Sequence, residues 1–353
     1  MQIFLKKSKI TPFSVLKITG SKSESNRVLL LQALYSGLKI NNLSNSDDSQ
    51  LMQKAIASKG SLVDIHHAGT AMRFLTAYFA TRVGKTTTLT GSRRMQERPI
   101  KILVDALTSL GASITYTKNE GYPPILIKGK NLSNDKVSLK ANVSSQYISA
   151  LMLIAPTLEN GLTLHLEGKI TSTPYIKMTL ALLENLGIRT SFEAHTIKVE
   201  SFRKEVSKTF TVESDWSSAS YFYSLVALSP IGTQIDLSSY KSNSLQGDAV
   251  LIDIYKQLGV QSKFDGTTLS LKKIGTNLPS CLNLNLSDAP DIAQTITVSC
   301  LGLKIPCELT GLHTLKIKET DRLVALKNEI CLLYTSDAAD EGLGVDLGGR
   351  RII

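Results

Sequence analysis

The feature that most constrains the fold is a helix ending that occurs three times. Each copy is a leucine followed by a glycine at the end of an apolar helical pattern, with a β-like stretch after it: residues 109–112, 185–188 and 257–260. The leucines lie 76 and 72 residues apart. Glycine suits the left-handed backbone that closes a helix, and a regular spacing of this size indicates a repeated β/α unit. The chain is therefore predicted to be an α/β protein of repeated units rather than one doubly wound sheet.

Length and composition exclude some classes of protein. The 353 residues are enough for two domains of about 150 residues each, and the hydrophobic fraction of 42% is typical of a folded soluble protein. No apolar stretch reaches the roughly 18 residues that a membrane span requires, and the first residues lack a secretory signal pattern. We therefore expect a cytoplasmic, monomeric protein with no membrane partner.

The cysteines and histidines do not indicate a metal site. The four cysteines form no Cys-x-x-Cys pair, and the five histidines show no spacing typical of metal ligands. Structural zinc and a disulfide framework are therefore not expected.

The net charge of +10 is compatible with nucleic acid, a membrane surface or a small polyanion as the partner. Aromatic residues make up only 6% of the chain, and long Lys/Arg stretches with interleaved aromatics are absent, which disfavours nucleic acid. The cations occur instead in short clusters beside serine, threonine and glycine. This arrangement favours a compact phosphorylated ligand.

One such cluster is residues 20–27, Gly-Ser-Lys-Ser-Glu-Ser-Asn-Arg, between a β-like stretch at 13–18 and an apolar helical pattern at 28–38. A serine at 21 or 23 is predicted to cap the helix, because its hydroxyl can accept a bond from an orphan backbone N–H. The cations at 22 and 27 then lie at a helix N-terminus, which already favours an anion. The alternative is an ordinary capped helix on the surface.

Similar polar stretches precede several other predicted helices. These helices are predicted at 50–58, 100–110, 147–155 and 176–186, and another follows residues 214–220. The first has a cap at 47–49, and the second follows the arginine-rich loop 91–99. A glycine-threonine turn at 66–73 precedes a further helix. Each stretch alone is an ordinary helix start. Together they predict helix N-termini that converge on one cleft.

Seven of these motifs, in this order, resemble the 5-enolpyruvylshikimate-3-phosphate synthase family of enolpyruvyl transferases. The resemblance covers residues 1–330 and rests on residues 20–27, 68–73, 94–99, 144–146, 218–221, 289–291 and 316–322. It implies two similar domains of repeated β/α units around an interdomain cleft. The second domain would be 20–213, and the first would be discontinuous and incomplete, formed by 1–19 and 214–330.

The resemblance also implies a reaction. The enolpyruvyl group of phosphoenolpyruvate is transferred to the 5-hydroxyl of shikimate-3-phosphate by addition and elimination, with release of phosphate. Such a reaction needs a general base, a general acid and cations that hold two polyanions together. Those two small molecules are the expected partners, without nucleic acid, and no metal or organic cofactor is needed.

The implied site follows by matching position. The catalytic residues would be Lys22 as a proton shuttle, Asp291 as the base, and Glu319 for proton exchange at C3 of phosphoenolpyruvate. Phosphoenolpyruvate would be bound by Lys22, Gly69, Arg98, Gln146 and Arg322. Shikimate-3-phosphate would be bound by Ser23, Arg27, Ser144, Ser145, Gln146, Ser172, Tyr175, Asp291, Thr314 and Lys318. The phosphate would lie on the serines at 144, 145 and 172, and Tyr175 would cover the ring.

The end of the chain departs from the pattern. A fourth repeat helix begins at 319–330, but no Leu-Gly ending follows. Residues 331–353 resemble the translation of sequencing-library adapter ends, so we predict a non-native tail. The family's Asp-His-Arg-Met motif and a later lysine-threonine segment, which supply two cations, are absent. We therefore predict a truncated chain that is inactive or barely active. Within the motifs His67, Phe74, Thr314 and Leu315 also depart from the usual family residues.

Three other interpretations of the sequence stay open at this point. The first is the sister transferase that acts on UDP-N-acetylglucosamine, which typically protonates through a loop cysteine; no cysteine lies within 91–99. The second is a basic nucleic-acid-binding protein, which predicts salt-sensitive binding. The third is an inactive anion-binding fragment.

Overall fold

A computed structural model describes residues 10–140, 144–168, 170, 173–318 and 320–335. The α-helices in these ranges are α1 Lys22–Leu34, α2 Asp47–Ala57, α3 Gly69–Ala80, α4 Lys101–Ser109, α5 Ser145–Ile154, α6 Thr173–Asn185, α7 Trp216–Ala227, α8 Leu251–Gln257, α9 Ala293–Leu303 and α10 Arg322–Thr335. The strands are β1 Phe13–Lys17, β2 Leu38–Asn41, β3 Leu62–Asp64, β4 Thr86–Thr90, β5 Ser113–Tyr116, β6 Ile125–Lys128, β7 Lys136–Lys140, β8 Leu162–Glu167, β9 Thr190–Glu193, β10 Thr196–Val199, β11 Lys208–Thr211, β12 Gln234–Ser238, β13 Val260–Asp265, β14 Thr268–Lys273, β15 Leu282–Asn285 and β16 Cys307–Thr310.

Three four-stranded sheets share one construction. Their strand orders are β3-β4-β6-β5, β7-β8-β10-β9 and β1-β12-β14-β13. In each sheet the first two strands are parallel, and the last two form an antiparallel hairpin added to them. In the first two sheets one α-helix, α3 or α5, connects the parallel strands, as a parallel connection requires. In the third sheet residues 18–233 separate β1 from β12, and α7 leads into β12. Two further parallel pairs, β2-β11 and β15-β16, stand without a hairpin in the described ranges.

The repeated helix endings are confirmed. Gly111, Gly187 and Gly259 have φ values of 104°, 86° and 76°, in the left-handed region that favours glycine. Each follows a helix (α4, α6 or α8) and precedes the edge strand of a sheet (β5, β9 or β13). At Gly259 there is also no space for a side chain, since a Cβ would lie 2.1 Å from the carbonyl oxygen of Gly275.

Several helices begin earlier than the apolar pattern predicted, among them α5 at Ser145 instead of residue 147 and α6 at Thr173 instead of residue 176. Helix α1 begins at Lys22, directly after Ser21, one of its two predicted caps, and the Ser21 side chain accepts from the Glu24 N–H at 3.4 Å. Helix α2 begins at Asp47 instead of residue 50, because Ser46 is the cap. In α1 and α2 the polar residues ahead of the apolar pattern form the first helical turn, where a carboxylate is favoured by the helix dipole.

The described residues form two hydrophobic cores. The first contains residues between Val28 and Val206, and the second contains residues between Trp216 and Leu323, with Leu16 packed against it. Because β1 pairs with β12, the N-terminal strand belongs to the second core although residues 20–213 separate the two in sequence. Helix α10 continues past Ile330 to Thr335 without a break. The remainder of the predicted non-native tail, residues 336–353, lies outside the described residues.

The chain crosses between the two cores at a tight backbone contact. Gly20 forms an isolated antiparallel bridge with Ser214, and the Ser21 N–H donates to the Glu213 carbonyl at 2.7 Å. A side chain at Gly20 would clash, since a Cβ would lie 1.9 Å from the carbonyl oxygen of Asn42. The two crossing strands are therefore held side by side.

A buried carboxylate organises this crossing. Glu213 accepts hydrogen bonds from Trp216 Nε1 at 2.9 Å, from the Lys241 N–H at 2.9 Å, from Ser244 Oγ at 2.7 Å and from Gln246 Nε2 at 3.2 Å. Four donors satisfy both oxygens, as a buried carboxylate requires. These bonds tie the crossing to the second core.

A second carboxyl group lies beside it. Glu24 is 3% exposed, and its Oε2 accepts from the Glu213 N–H at 2.7 Å. Burial raises the pKa of Glu24 from 4.5 to about 7, and the nearby Lys241 charge only partly opposes this. Because the folded-state pKa is the higher one, folding favours the protonated form. The contribution of Glu24 to stability is fully present below pH 4.5 and is lost as the pH rises through about 7.

We expect Glu24→Gln to remove this contribution to the pH dependence of the unfolding free energy. Relative to wild type, the variant should gain about 3 kcal/mol of unfolding free energy as the pH rises from about 4.5 to about 7, since a pKa unit is worth about 1.4 kcal/mol. Chemical denaturation at a series of pH values measures this. Glu205→Gln, at an exposed glutamate, is the matched control. Parallel curves for wild type and Glu24→Gln would contradict the prediction.

Within the described ranges, none of the helices has both the length and the apolar character to cross a membrane. In the same part of the chain, no group of three or more His, Cys, Asp or Glu side chains is arranged to hold a metal ion.

Candidate active site

A cleft of about 600 Å³ opens between the two cores. The starts of α1, α3, α5, α6 and α7 reach it, as does the short 3-10 turn Pro290–Ile292 ahead of α9. All the predicted site residues that the structure describes line this cleft: Lys22, Ser23, Arg27, Gly69, Arg98, Ser144, Ser145, Gln146, Tyr175, Asp291, Thr314, Lys318 and Arg322. Ser172 and Glu319 lie outside the described residues, so their roles stay predictions.

The start of α3 fits closely against a buried arginine. Arg98 is 8% exposed, and a Cβ on Gly69 would lie 2.6 Å from its Nη1 and 2.9 Å from its Nη2. Only glycine permits this approach. Arg73 fixes the same corner, since it donates to the Gly69 carbonyl at 3.2 Å and to the Pro99 carbonyl at 3.0 Å. The guanidinium of Arg98 is thus placed beside the free N–H groups of a helix start.

The start of α5 provides hydroxyl and amide groups. Ser144 caps the helix by accepting from the Gln146 N–H at 3.3 Å, and Ser145 is buried beside it. Gln146 Nε2 donates to Thr70 Oγ1 at 3.3 Å and thereby connects α5 with α3. Backbone N–H groups at a helix start attract phosphate. The arrangement therefore suits an anion that lies between the two helices.

Arg27 lies in the cleft wall but is 2% exposed and engaged internally. Its Nε donates to Thr179 Oγ1 at 2.7 Å, its Nη1 to the Ser23 carbonyl at 2.8 Å, and its Nη2 to Ser149 Oγ at 3.0 Å and the Tyr175 carbonyl at 3.3 Å. Burial lowers the pKa of Arg27 to about 10, which leaves it charged at neutral pH. One N–H of Nη1 remains for a ligand. The predicted contact with shikimate-3-phosphate would have to use it.

The opposite wall carries an ion-paired aspartate. Asp291 Oδ1 accepts from Arg322 Nη1 at 2.9 Å and lies 3.3 Å from Lys318 Nζ. Burial opposes ionisation of Asp291, but Lys318, Arg322 and Lys22 outweigh it and lower the pKa of the carboxyl group. Asp291 is therefore ionised at neutral pH and, in this arrangement, a weak proton acceptor.

Some cleft residues were missed by the sequence analysis. Asp215 caps α7, which begins at Trp216, inside the motif 214–220 and not after it. Asp215 accepts from the Ser218 N–H at 2.7 Å and also from the Lys22 N–H at 3.3 Å. The aspartate in the motif at 214–220 could have indicated the cap, but its contact with α1 is long-range. Other cleft residues without a predicted role include Ser44, Asp48, Thr70, Arg73, Ser217, Gln294 and Thr295.

The two walls also touch directly. Arg94, in the loop between β4 and α4, donates through Nη2 to the Lys318 carbonyl at 3.2 Å. This contact connects the arginine-rich loop to the turn that carries Lys318. Both walls of the cleft are therefore built from polar and charged side chains of residues far apart in sequence.

Comparisons with known proteins give a consistent result. A family model described as EPSP synthase (3-phosphoshikimate 1-carboxyvinyltransferase) matches residues 53–335. A relative from Bacteroides fragilis strain YCH46, named 3-phosphoshikimate 1-carboxyvinyltransferase, is 46% identical over 318 residues, which is 90% of this chain and 77% of the relative. A relative of the same name from Marinomonas is 34% identical over 344 residues, covering 89% and 79%.

Solved structures agree on the fold. A structure of EPSP synthase from Acinetobacter baumannii superposes with a TM-score of 0.68 at 18% sequence identity, over 90% of this chain and 77% of that chain. This likeness shows the two-domain α/β fold that the repeated helix endings and the family resemblance implied.

Proposed function

The chain belongs to the EPSP synthase family, and on that premise we propose that it transfers the enolpyruvyl group of phosphoenolpyruvate to the 5-hydroxyl of shikimate-3-phosphate. The observation that carries this proposal is the cleft itself. Every described residue that the resemblance assigned to the two substrates lines one cavity. Cations on both walls, from Lys22 and Arg98 to Lys318 and Arg322, match two polyanionic ligands.

The proposed binding mode divides the cleft between the substrates. Phosphoenolpyruvate lies against Gly69 and between Arg98 and Arg322, where two guanidinium groups can each bind phosphate or carboxylate oxygens in pairs. The phosphate of shikimate-3-phosphate lies at the start of α5, on Ser144 and Ser145. Gln146 lies between the two positions, because it already connects α5 with the start of α3.

In the proposed reaction the 5-hydroxyl gives its proton to Asp291 while its oxygen bonds to C2 of phosphoenolpyruvate. C3 takes up a proton, for which Lys22 and Glu319 are the proposed donors. The tetrahedral adduct then loses phosphate as its C–O bond breaks, and C3 gives up a proton to restore the double bond. Holding both reactants in one cleft supplies much of the rate.

Asp291 must become a better base for this to occur. In the free protein the charges of Lys318 and Arg322 hold its pKa down. A substrate phosphate or carboxylate that binds those cations would draw their charge away from Asp291. We propose that ligand binding in this way raises the proton affinity of Asp291 when the hydroxyl arrives.

We also propose the domain division that the family resemblance implied, with 20–213 as one domain and 1–19 plus 214–330 as the other. The two hydrophobic cores and the pairing of β1 with β12 support it. The two small-molecule substrates are the proposed partners, and a monomeric state and a cytoplasmic location remain predictions. The absent or low activity that the sequence predicts for this chain also stays a prediction.

Phosphate release by the purified chain tests the proposal. Release should require shikimate-3-phosphate and phosphoenolpyruvate together, and calorimetry should detect binding of shikimate-3-phosphate alone. UDP-N-acetylglucosamine serves as the alternative acceptor. Release with that acceptor, or no binding of shikimate-3-phosphate, would contradict the proposal. Turnover equal to that of the Bacteroides fragilis relative would contradict only the predicted absent or low activity.

A further inference from the structure

A buried aspartate behind the cleft wall has no role in the mechanism above. Asp248 lies in the 3-10 turn Gly247–Val250 ahead of α8 and is 3% exposed. One of its oxygens, Oδ2, accepts a short hydrogen bond from Ser217 Oγ. Its other oxygen, Oδ1, is buried and has no hydrogen-bond partner among the described residues. A carboxyl group that is half unsatisfied in a protein interior calls for a functional explanation.

The position of this turn is closely determined. A Cβ on Gly247 would lie 2.7 Å from the Asp288 carbonyl oxygen and 3.3 Å from Pro174 Cβ. The turn therefore lies between the loop that leads to Asp291 and the start of α6. Glycine at 247 permits this approach, which brings Asp248 close to both walls of the cleft.

The serine that bonds Asp248 faces the substrates. Ser217 is half-buried in the first turn of α7 and lines the cleft, as Asp291 does. Because its proton is directed at Asp248, Ser217 can present only oxygen lone pairs to the cleft. Burial raises the pKa of Asp248 to about 7, but an oxygen remains to accept from Ser217 in either protonation state.

We propose that Asp248 is a positioning residue that orients the Ser217 hydroxyl so that its oxygen accepts a hydrogen bond from a ring hydroxyl of the acceptor substrate. Phosphoenolpyruvate offers acceptor oxygens, which an oxygen lone pair facing the cleft would repel. Shikimate-3-phosphate carries hydroxyl donors. The arrangement therefore favours a ring hydroxyl over a phosphate or carboxylate oxygen at this point of the cleft, an inference that rests on the proposed function.

Calorimetric binding of shikimate-3-phosphate tests the proposal without requiring turnover. We expect Ser217→Ala to weaken binding about tenfold and Asp248→Ala about fivefold, as loss of one oriented hydrogen bond implies. Asp248→Asn, which keeps an amide oxygen for the Ser217 proton, should bind within about twofold of wild type. The double variant should bind no more weakly than Ser217→Ala, because both changes remove one contact.

Two measurements separate this role from a structural one. Phosphoenolpyruvate affinity should change by less than about twofold in every variant, and Asp253→Ala, at an exposed aspartate of α8, should leave both affinities unchanged. The inference would be overturned if the losses of binding free energy in the two single variants added up in the double variant. Equal losses of affinity for both ligands would also overturn it, as would unchanged binding of shikimate-3-phosphate in Ser217→Ala and Asp248→Ala. If the wild-type chain binds no shikimate-3-phosphate, the proposed function fails, and the inference with it.

Discussion

Replacing Asp291 with asparagine is expected to lower kcat by about 10²–10⁴-fold, the range for loss of a general base. The carboxyl group that would take the hydroxyl proton is removed, while an amide of nearly the same shape keeps the site intact. Because Lys318 and Arg322 lose their anionic partner, we expect the KM for phosphoenolpyruvate to stay constant or fall. Phosphate release at saturating substrate, with KM values for both substrates, measures this.

Asp288→Asn is the matched control, because Asp288 is an exposed aspartate three residues away in the same loop. It should retain normal turnover. Thermal melting of both variants verifies that they fold. A folded Asp291→Asn variant with kcat within about tenfold of wild type would show that another group takes the proton.

Replacing Arg98 with alanine is expected to raise the KM for phosphoenolpyruvate about 10–100-fold. A charged hydrogen bond is worth about 1.5–3 kcal/mol, and every 1.4 kcal/mol is about tenfold in affinity. Gly69→Ala should raise the same KM by a smaller factor, because a Cβ 2.6 Å from Nη1 would displace the guanidinium without removing it. Affinity for shikimate-3-phosphate should change little in both variants.

Arg93→Ala is the control for this pair. The Arg93 side chain is 97% exposed and lies in the same loop, so its loss removes an equal charge away from the cleft. Normal phosphoenolpyruvate affinity is expected. If Arg93→Ala and Arg98→Ala raised the KM equally, the general charge of the loop, rather than a bound guanidinium, would be responsible.

The repeated units were predictable because their signals are local. A leucine that packs and a glycine that closes the helix stand next to each other, so the spacing of three such endings revealed the unit. Ser21 was one of the two predicted caps of α1, but the start of α2 was predicted three residues too late, since Ser46 was not taken as its cap. A local pattern indicates that a helix exists more reliably than where it begins.

The motifs identified the residues of the cleft, but they did not indicate which of these side chains are buried, hydrogen-bonded or ion-paired. Nothing local indicates that Arg27 is buried with four internal hydrogen bonds, or that Asp291 is paired with two cations. Asp248 was not singled out, because its meaning depends on Ser217, 31 residues away in sequence. Burial and pairing decide a pKa, and both arise from contacts between distant segments.

The sequence by itself determined the repeated β/α units, the helix starts rich in serine and cations, and the ligand class that such starts attract. These follow from backbone preferences and charges within short stretches of chain. Only the tertiary structure decided which starts share a cleft, that β1 joins β12 across residues 20–213, and which carboxyl groups are buried or ion-paired. The reason is physical: cleft geometry and desolvation depend on packing between segments that no local pattern specifies.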